Sequence, residues 1–183
     1  MTPALFLDRD GVINVDTGYL HRPSECQFVP GIFELVRAAN RAGYRVFVVT
    51  NQAGIARGFY TEQVFRAFTD WMLGEFAKHG ALIDEVYFCP HHPDAGLGEY
   101  RVACECRKPL PGMLLRARDE FGVDMARSIM IGDNLTDVEA ARAAGVGQVF
   151  WLVDQKMETP SSADGYVIVR SFDDVQSVLT GVA

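Results

Sequence analysis

The chain has 183 residues, 49% hydrophobic and 22% charged, a balance that suits one well-buried domain over residues 1–183 and requires no second. A formal charge of -7 argues against a surface built to hold nucleic acid or anionic membrane, although a few basic groups in a cleft could still hold a small anion. No apolar run approaches the ~20 residues of a membrane span, and Met-Thr-Pro leads into the first apolar run without a basic or long apolar leader, so a cytoplasmic protein is expected.

Ala4-Leu5-Phe6-Leu7 reads as a short buried strand that hands the chain to Asp8-Arg9-Asp10-Gly11. Residues at i and i+2 of an extended segment point the same way, so Asp8 and Asp10 can face one pocket. Two carboxylates ~4 Å apart repel by about 4 kcal/mol at an effective dielectric of ~20, which asks for a metal or a shared proton. A polar turn closing a strand is the plain alternative, because Asp and Gly are turn residues.

A turn-rich passage follows, and Ile32, Leu35, Val36 and Ala39 then carry helical spacing as far as Gly43. Residues 44–49 form a second strand ending in Thr50-Asn51-Gln52, before a Gly-bearing loop over 53–58. Thr61 caps a long helix reaching about His79, whose apolar face of Val64, Phe65, Phe68, Trp71, Met72 and Phe76 is core rather than a cofactor box. Residues 83–88 are a third strand. Residues 89–111 are a loop without periodicity, and loops this long in compact domains are usually functional. A helix over 113–121, a fourth strand over 128–131 ending in Gly132-Asp133-Asn134, and a helix over 136–144 come next. The chain closes with a fifth strand at 148–152, a surface loop at Thr159-Pro160-Ser161-Ser162, a last strand at 167–169 and a helix over 172–179.

Strands alternating with helices predict an α/β fold, a Rossmann-like doubly wound parallel sheet whose ligands bind outside the carboxyl ends of strands. Asp8, Asp10, Thr50, Asn51 and Asp133 all fall at those ends. An ionised carboxylate can attack phosphorus when a cation offsets its repulsion from the phosphoryl oxygens. Magnesium suits, being a hard ion held by one or two carboxylates plus substrate phosphate and water. Asp8 and Asp133 would supply side-chain oxygens and Asp10 its backbone carbonyl, leaving the Asp10 side chain to move protons. Thr50, backbone amides and Lys108, which Pro109 biases toward an extended conformation just before a helix, suit the developing charge. Asp137 is either a helix-face residue or a supporting carboxylate behind the metal ligands.

A second constellation is Cys89-x-His91, twelve intervening residues, then Cys104-x-Cys106. Three thiolates and one imidazole make a closed tetrahedral zinc site of the structural kind. His92 competes with His91 for the fourth position; His21 and His79 carry no motif and read as surface residues.

Asp-x-Asp-Gly after the first strand, Thr after the second, Lys before a helix and Gly-Asp-x-x-x-Asp after the fourth together resemble the haloacid dehalogenase superfamily of phosphotransferases. Within it, residues 6–14, 49–58 and 104–109 look like those of heptose bisphosphate phosphatases, which serve bacterial nucleotide-activated heptose synthesis. The resemblance implies Asp8 as nucleophile, Asp10 as acid and base, and Asp8, Asp10 and Asp133 as magnesium ligands. Thr50 and Lys108 would steady the phosphoryl group, and Arg107 would recognise the rest of a sugar phosphate. Asp16, Thr17, Gly18, Tyr19, Asn51, Gln52 and Ala53 match substrate-contacting stretches. Asn134 stands where some members carry lysine, which bears on how a second phosphate or an anomer is held. Zinc would sit on Cys89, His91, Cys104 and Cys106. A capless monomer acting on a small sugar phosphate, without nucleic acid or membrane partners, is expected. Histidinol-phosphate phosphatase, whose zinc loop is typically shorter, is the nearest alternative; a polynucleotide 3′-phosphatase fits the acidic chain poorly. A zinc-stabilised binding module is the alternative of a different class.

Overall fold

The computed structural model describes residues 1–153 and 165–180; the expected surface loop at 159–162 lies outside the described residues. Six parallel strands, β1 (Ala4–Leu7), β2 (Arg45–Asn51), β3 (Glu85–Cys89), β4 (Ile129–Gly132), β5 (Gln148–Leu152) and β6 (Val167–Val169), form one sheet in the order β3-β2-β1-β4-β5-β6. The helices are α1 (Ile32–Arg41), α2 (Ala53–Ala56), α3 (Glu62–Lys78), α4 (Gly112–Phe121), α5 (Leu135–Ala143) and α6 (Asp173–Thr180).

The side-chain alternation of β1 sorts its residues between two cores. Leu5 and Leu7 join Ile32, Leu35 and Val36 of α1, Phe68, Met72 and Phe76 of α3, and Val175 of α6. Ala4 and Phe6 join Met113 and Leu114 of α4 and Val138 and Ala141 of α5 on the other face. Both faces of β1 are therefore dry, which is why its sequence is a continuous apolar run with no polar face. At roughly 25 cal/mol per Å² of apolar area, this two-sided burial is the main driving force for placing β1 at the sheet centre.

Local signals set the helix starts. The Thr61 side chain accepts from the Val64 N–H at the head of α3. Asn134 and Asp137 form a reciprocal capping box at the head of α5.

The structure departs from the sequence expectation in several places. The 53–58 loop contains the one-turn α2. β2 runs on through Thr50 and Asn51, and β3 ends on Cys89, which pairs with Asn51, so the first thiol of the proposed metal site stands on the sheet rather than in the loop. Val64 is 39% exposed, outside the core face of α3, whose first turn meets the sheet through Phe65 instead, its ring 4.5 Å from that of Phe88 on β3. Among the described residues, the connection from β1 to α1 holds one short 3-10 turn, Pro23–Glu25, and that from β3 to α4 another, Gly98–Tyr100. No described helix is long and apolar enough to cross a membrane.

Candidate active site

Because β1 lies between β2 and β4, the carboxyl ends of three strands meet where the strand order reverses, the place at which such sheets bind ligands. A cavity of about 290 Å³ opens there, lined by Asp8 and Asp10 after β1, Thr50 and Asn51 at the end of β2, Asp133 and Asn134 after β4, and Arg107 and Lys108. A larger cavity of about 780 Å³ lies over Ile55, Phe59, Tyr60 and Leu97, but it has no metal-competent cluster among the described residues. The chemistry therefore belongs to the smaller one.

Lys108 organises the floor. It is 3% exposed, and its Nζ stands 2.8 Å from Asp8 Oδ1 and 2.6 Å from Asp137 Oδ1 while donating to the Val49 carbonyl at 2.7 Å. Burial disfavours its ammonium, but the charges of Asp8 and Asp137 outweigh that and hold its pKa above the ordinary lysine value. Asp137, which the sequence leaves between two roles, is thus a buried carboxylate that both caps α5 and pairs with Lys108.

One ammonium does not balance three carboxylates. Ligand oxygens of Asp8, Asp133 and Asp137 all lie within 4.8 Å of one another. Burial first, then the Asp137 charge, pushes Asp133 up to about 7, and burial pushes Asp8 well above the usual carboxylate range against the pull of Lys108. Hard oxygens in excess negative charge fit a divalent cation; Lys108 and the Arg9 backbone N–H both meet Asp8 at Oδ1, whereas Asp137 has Oδ1 against Lys108 and Oδ2 against the Asn134 N–H. The Trp151 indole N–H donates to the Asp133 carbonyl at 2.9 Å and anchors that loop on β5. Gly11 completes the packing: its φ is +86°, and a Cβ there would run into the Asp133 carboxylate.

The other predicted residues divide. Asp16 lines the cavity and its Oδ1 accepts from the Gly18 N–H at 2.9 Å, which shapes the exposed loop carrying Thr17, Gly18 and Tyr19. Those three do not line the cavity; the Tyr19 ring packs edge-on against Phe59, 4.6 Å between centroids. Gln52 is buried beneath the site, its Nε2 donating to Thr50 Oγ1 at 2.7 Å and to Asp10 Oδ2 at 3.3 Å, and its Oε1 accepting from the Tyr60 hydroxyl at 2.5 Å. Ala53 begins α2 and also stands off the cavity. The Asn134 side chain is spent in part on the helix cap, accepting from the Thr136 N–H.

Cys89, His91, Cys104 and Cys106 converge. Sγ of Cys104 is 3.4 Å from that of Cys89 and 3.3 Å from that of Cys106, and His91 Nδ1 is 3.8 Å from Cys89 Sγ and 3.5 Å from Cys106 Sγ. Hydrogen bonding from Cys89 pulls the Cys106 thiol down to about 5, while Cys89 itself is pushed up. Three crowded sulfurs with a thiolate already favoured, plus one imidazole nitrogen, fit zinc. His92 is turned away, its Nδ1 accepting from the Asp94 and Ala95 N–H groups. Cys26 stands apart from this cluster, so only three of the four cysteines belong to it. Arg107 reaches from the same loop into the cavity wall and donates to the His91 carbonyl at 3.3 Å.

Sequence reading missed Arg9, Asn14 and Tyr60. Arg9 pairs with Asp10 at 2.8 Å, and Asn14 Nδ2 donates to Asp10 Oδ1 at 3.0 Å. The available signal was an arginine wedged between the two aspartates and an amide directly after the apolar pair Val12-Ile13; no local pattern marks Tyr60.

Fold and site together define a phosphoric monoester hydrolase: a cavity-lining carboxylate aligned by a buried lysine, beside oxygens able to hold a cation that screens a phosphate. The model of the haloacid dehalogenase-like hydrolases matches residues 6–145, and the chain belongs to that family. It is 47% identical over 181 residues to D-glycero-beta-D-manno-heptose-1,7-bisphosphate 7-phosphatase of Vibrio cholerae serotype O1, covering 98% of this chain and 97% of that one. It is 48% identical over 178 residues to the corresponding alpha-anomer phosphatase of Burkholderia mallei, covering 97% and 94%. The crystal structure of D,D-heptose 1,7-bisphosphate phosphatase from B. bronchiseptica, complexed with magnesium and phosphate, matches with a TM-score of 0.84 at 31% identity over 99% of each chain.

Proposed function

We propose that this chain hydrolyses the 7-phosphate of D-glycero-D-manno-heptose 1,7-bisphosphate, as the names of its relatives indicate for them, in the cytoplasmic synthesis of nucleotide-activated heptose. The observation that carries the reading is the Asp8–Lys108 ion pair on the floor of a cavity walled by Asp10, Thr50, Asp133 and Arg107.

In this mechanism an Asp8 oxygen attacks phosphorus and the bond to the sugar oxygen breaks, leaving an aspartyl phosphate. Asp10 gives its proton to the departing oxygen and then takes one from water, which attacks phosphorus and releases inorganic phosphate and free Asp8. Lys108 orients Asp8 and, with the Thr50 hydroxyl, donates to the phosphoryl oxygens as charge grows on them. Magnesium, held by Asp8, Asp133 and the Asp10 carbonyl, supplies screening of the phosphate charge. Arg107, with its planar fork of donors, suits the distal phosphate. Cys89, His91, Cys104 and Cys106 would hold zinc, which when bound would fix the loop from which Arg107 and Lys108 project.

The test is a magnesium-supplemented phosphatase panel of both anomers of heptose 1,7-bisphosphate, histidinol phosphate and a 3′-phosphorylated oligonucleotide. The expected result is the highest kcat/KM on one of the two heptose anomers. Faster turnover of histidinol phosphate would replace the substrate reading, and turnover of none would favour a binding module.

A further inference from the structure

Arg9 is the largest side chain fully buried among the described residues, 1% exposed between the two reactive aspartates. Its guanidinium carbon lies 5.2 Å from the Phe68 ring centroid and 5.7 Å from that of Phe65, both on α3. Nη2 donates to the two Asp10 oxygens at 2.9 and 2.8 Å, and Nε stands 3.2 Å from each. The same Nη2 donates to the Leu20 carbonyl at 2.9 Å, at the end of the loop that begins at Asp16, while Nη1 is buried without a partner.

A cation removed from water into an aromatic wall is not what packing alone selects, since a hydrophobic side chain of similar volume fills such a space without the desolvation penalty. Nor does charge alone need this geometry. A lysine would neutralise Asp10, but only a planar fork fixes the plane of a carboxylate. Asn14 Nδ2 on Oδ1 and Gln52 Nε2 on Oδ2 complete the hold, leaving the Asp10 side chain 23% exposed toward the cavity.

We propose that Arg9 is a positioning residue that sets the plane of the Asp10 carboxylate for proton transfer to the leaving oxygen and, through the Leu20 carbonyl, ties that orientation to the adjoining loop. This rests on the reading of Asp10 as the proton donor. Misplacing an acid harms a substrate whose leaving oxygen needs a proton and spares one whose leaving group departs unprotonated. A general loss of structure harms both alike.

The experiment compares kcat/KM, which covers steps through leaving-group departure, for Arg9→Lys and wild type on heptose 1,7-bisphosphate and on an activated phosphate, p-nitrophenyl or acetyl phosphate, whichever wild type turns over faster. The expected result is a loss of at least about 10-fold on the sugar phosphate and under about 3-fold on the activated one. Equal losses on both, or none on either, overturn the proposal. If Arg9→Lys does not fold, Arg9→Met, which fills the same apolar space, is read by the same criterion. Asp10→Asn on the same pair separates the two ideas: an unselective loss there defeats the reading of Asp10 as acid, whereas selectivity there without selectivity in Arg9→Lys defeats only the role of Arg9.

Discussion

Asn51 and Lys108 hold one another by two hydrogen bonds of 3.0 Å: the Asn51 amide donates to the Lys108 carbonyl, and the Lys108 N–H donates to Asn51 Oδ1. This clamp fastens the exit of the metal-competent loop to the end of β2, so that the Lys108 side chain can run under the site to Asp8. Asn51→Ala is therefore expected to lower kcat by about 10- to 100-fold through a displaced lysine. It should also cost about 1–3 kcal/mol of stability for two lost hydrogen bonds. Steady-state kinetics and urea unfolding check both; a rise in KM with unchanged kcat would instead mark Asn51 as a substrate contact alone.

Asp8→Asn is expected to abolish phosphate release while leaving the protein folded. Asp8 is an acid held above its ordinary pKa by burial and by neighbouring carboxylates, so an uncharged isostere relieves repulsion that the folded protein otherwise bears. Circular dichroism and a metal-free melting curve no lower than wild type, alongside absent phosphate release, form the expected pair of results. Residual release near the wild-type rate would sink the covalent mechanism.

Stability without metal is expected to fall as pH rises. An unfolded aspartate loses its proton near pH ~3.9, whereas Asp133 in the fold holds its own to about 7, and Asp8 is displaced in the same direction. Between those limits the folded chain binds more protons than the unfolded chain, so unfolding becomes easier with each step up in pH until the folded carboxylates have titrated. A divalent cation takes over the role of those protons. Millimolar magnesium should thus raise the melting temperature more at about pH 8 than at about pH 5.5, by several degrees if the ion is near 100 times its Kd. An equal shift at both values would contradict the carboxylate cluster as its site.

Zinc removal is expected to loosen residues 89–111 and lower activity together, because Lys108 lies two positions beyond Cys106. Cys104→Ser should reproduce the effect. Hydrogen exchange over 89–111, melting curves and metal content by mass spectrometry provide the readout. A verified zinc-free protein with unchanged melting temperature and activity would remove the proposed role.

What the sequence by itself determined was local and periodic. The apolar run of β1, the helical spacing of Ile32, Leu35, Val36 and Ala39, the Thr61 cap and the placement of Asp8, Thr50 and Asp133 at strand ends all follow from interactions a few residues long. The spacing of the paired ligands at the two ends of one loop was legible as well, but their convergence is a long-range contact that the fold supplies. What only the tertiary structure decided depends on strand order and on which face a side chain meets. β1 sits between β2 and β4, so Lys108 spans Asp8 and Asp137, residues far apart in the chain. The same packing buries Arg9 against α3, turns Gln52 under the site and points His91, rather than His92, at the thiols. The physical reason is that local patterns specify which face of an element is dry. Partners for a buried charge are chosen only when distant elements close around it, and an unpaired charge there would be too costly to keep.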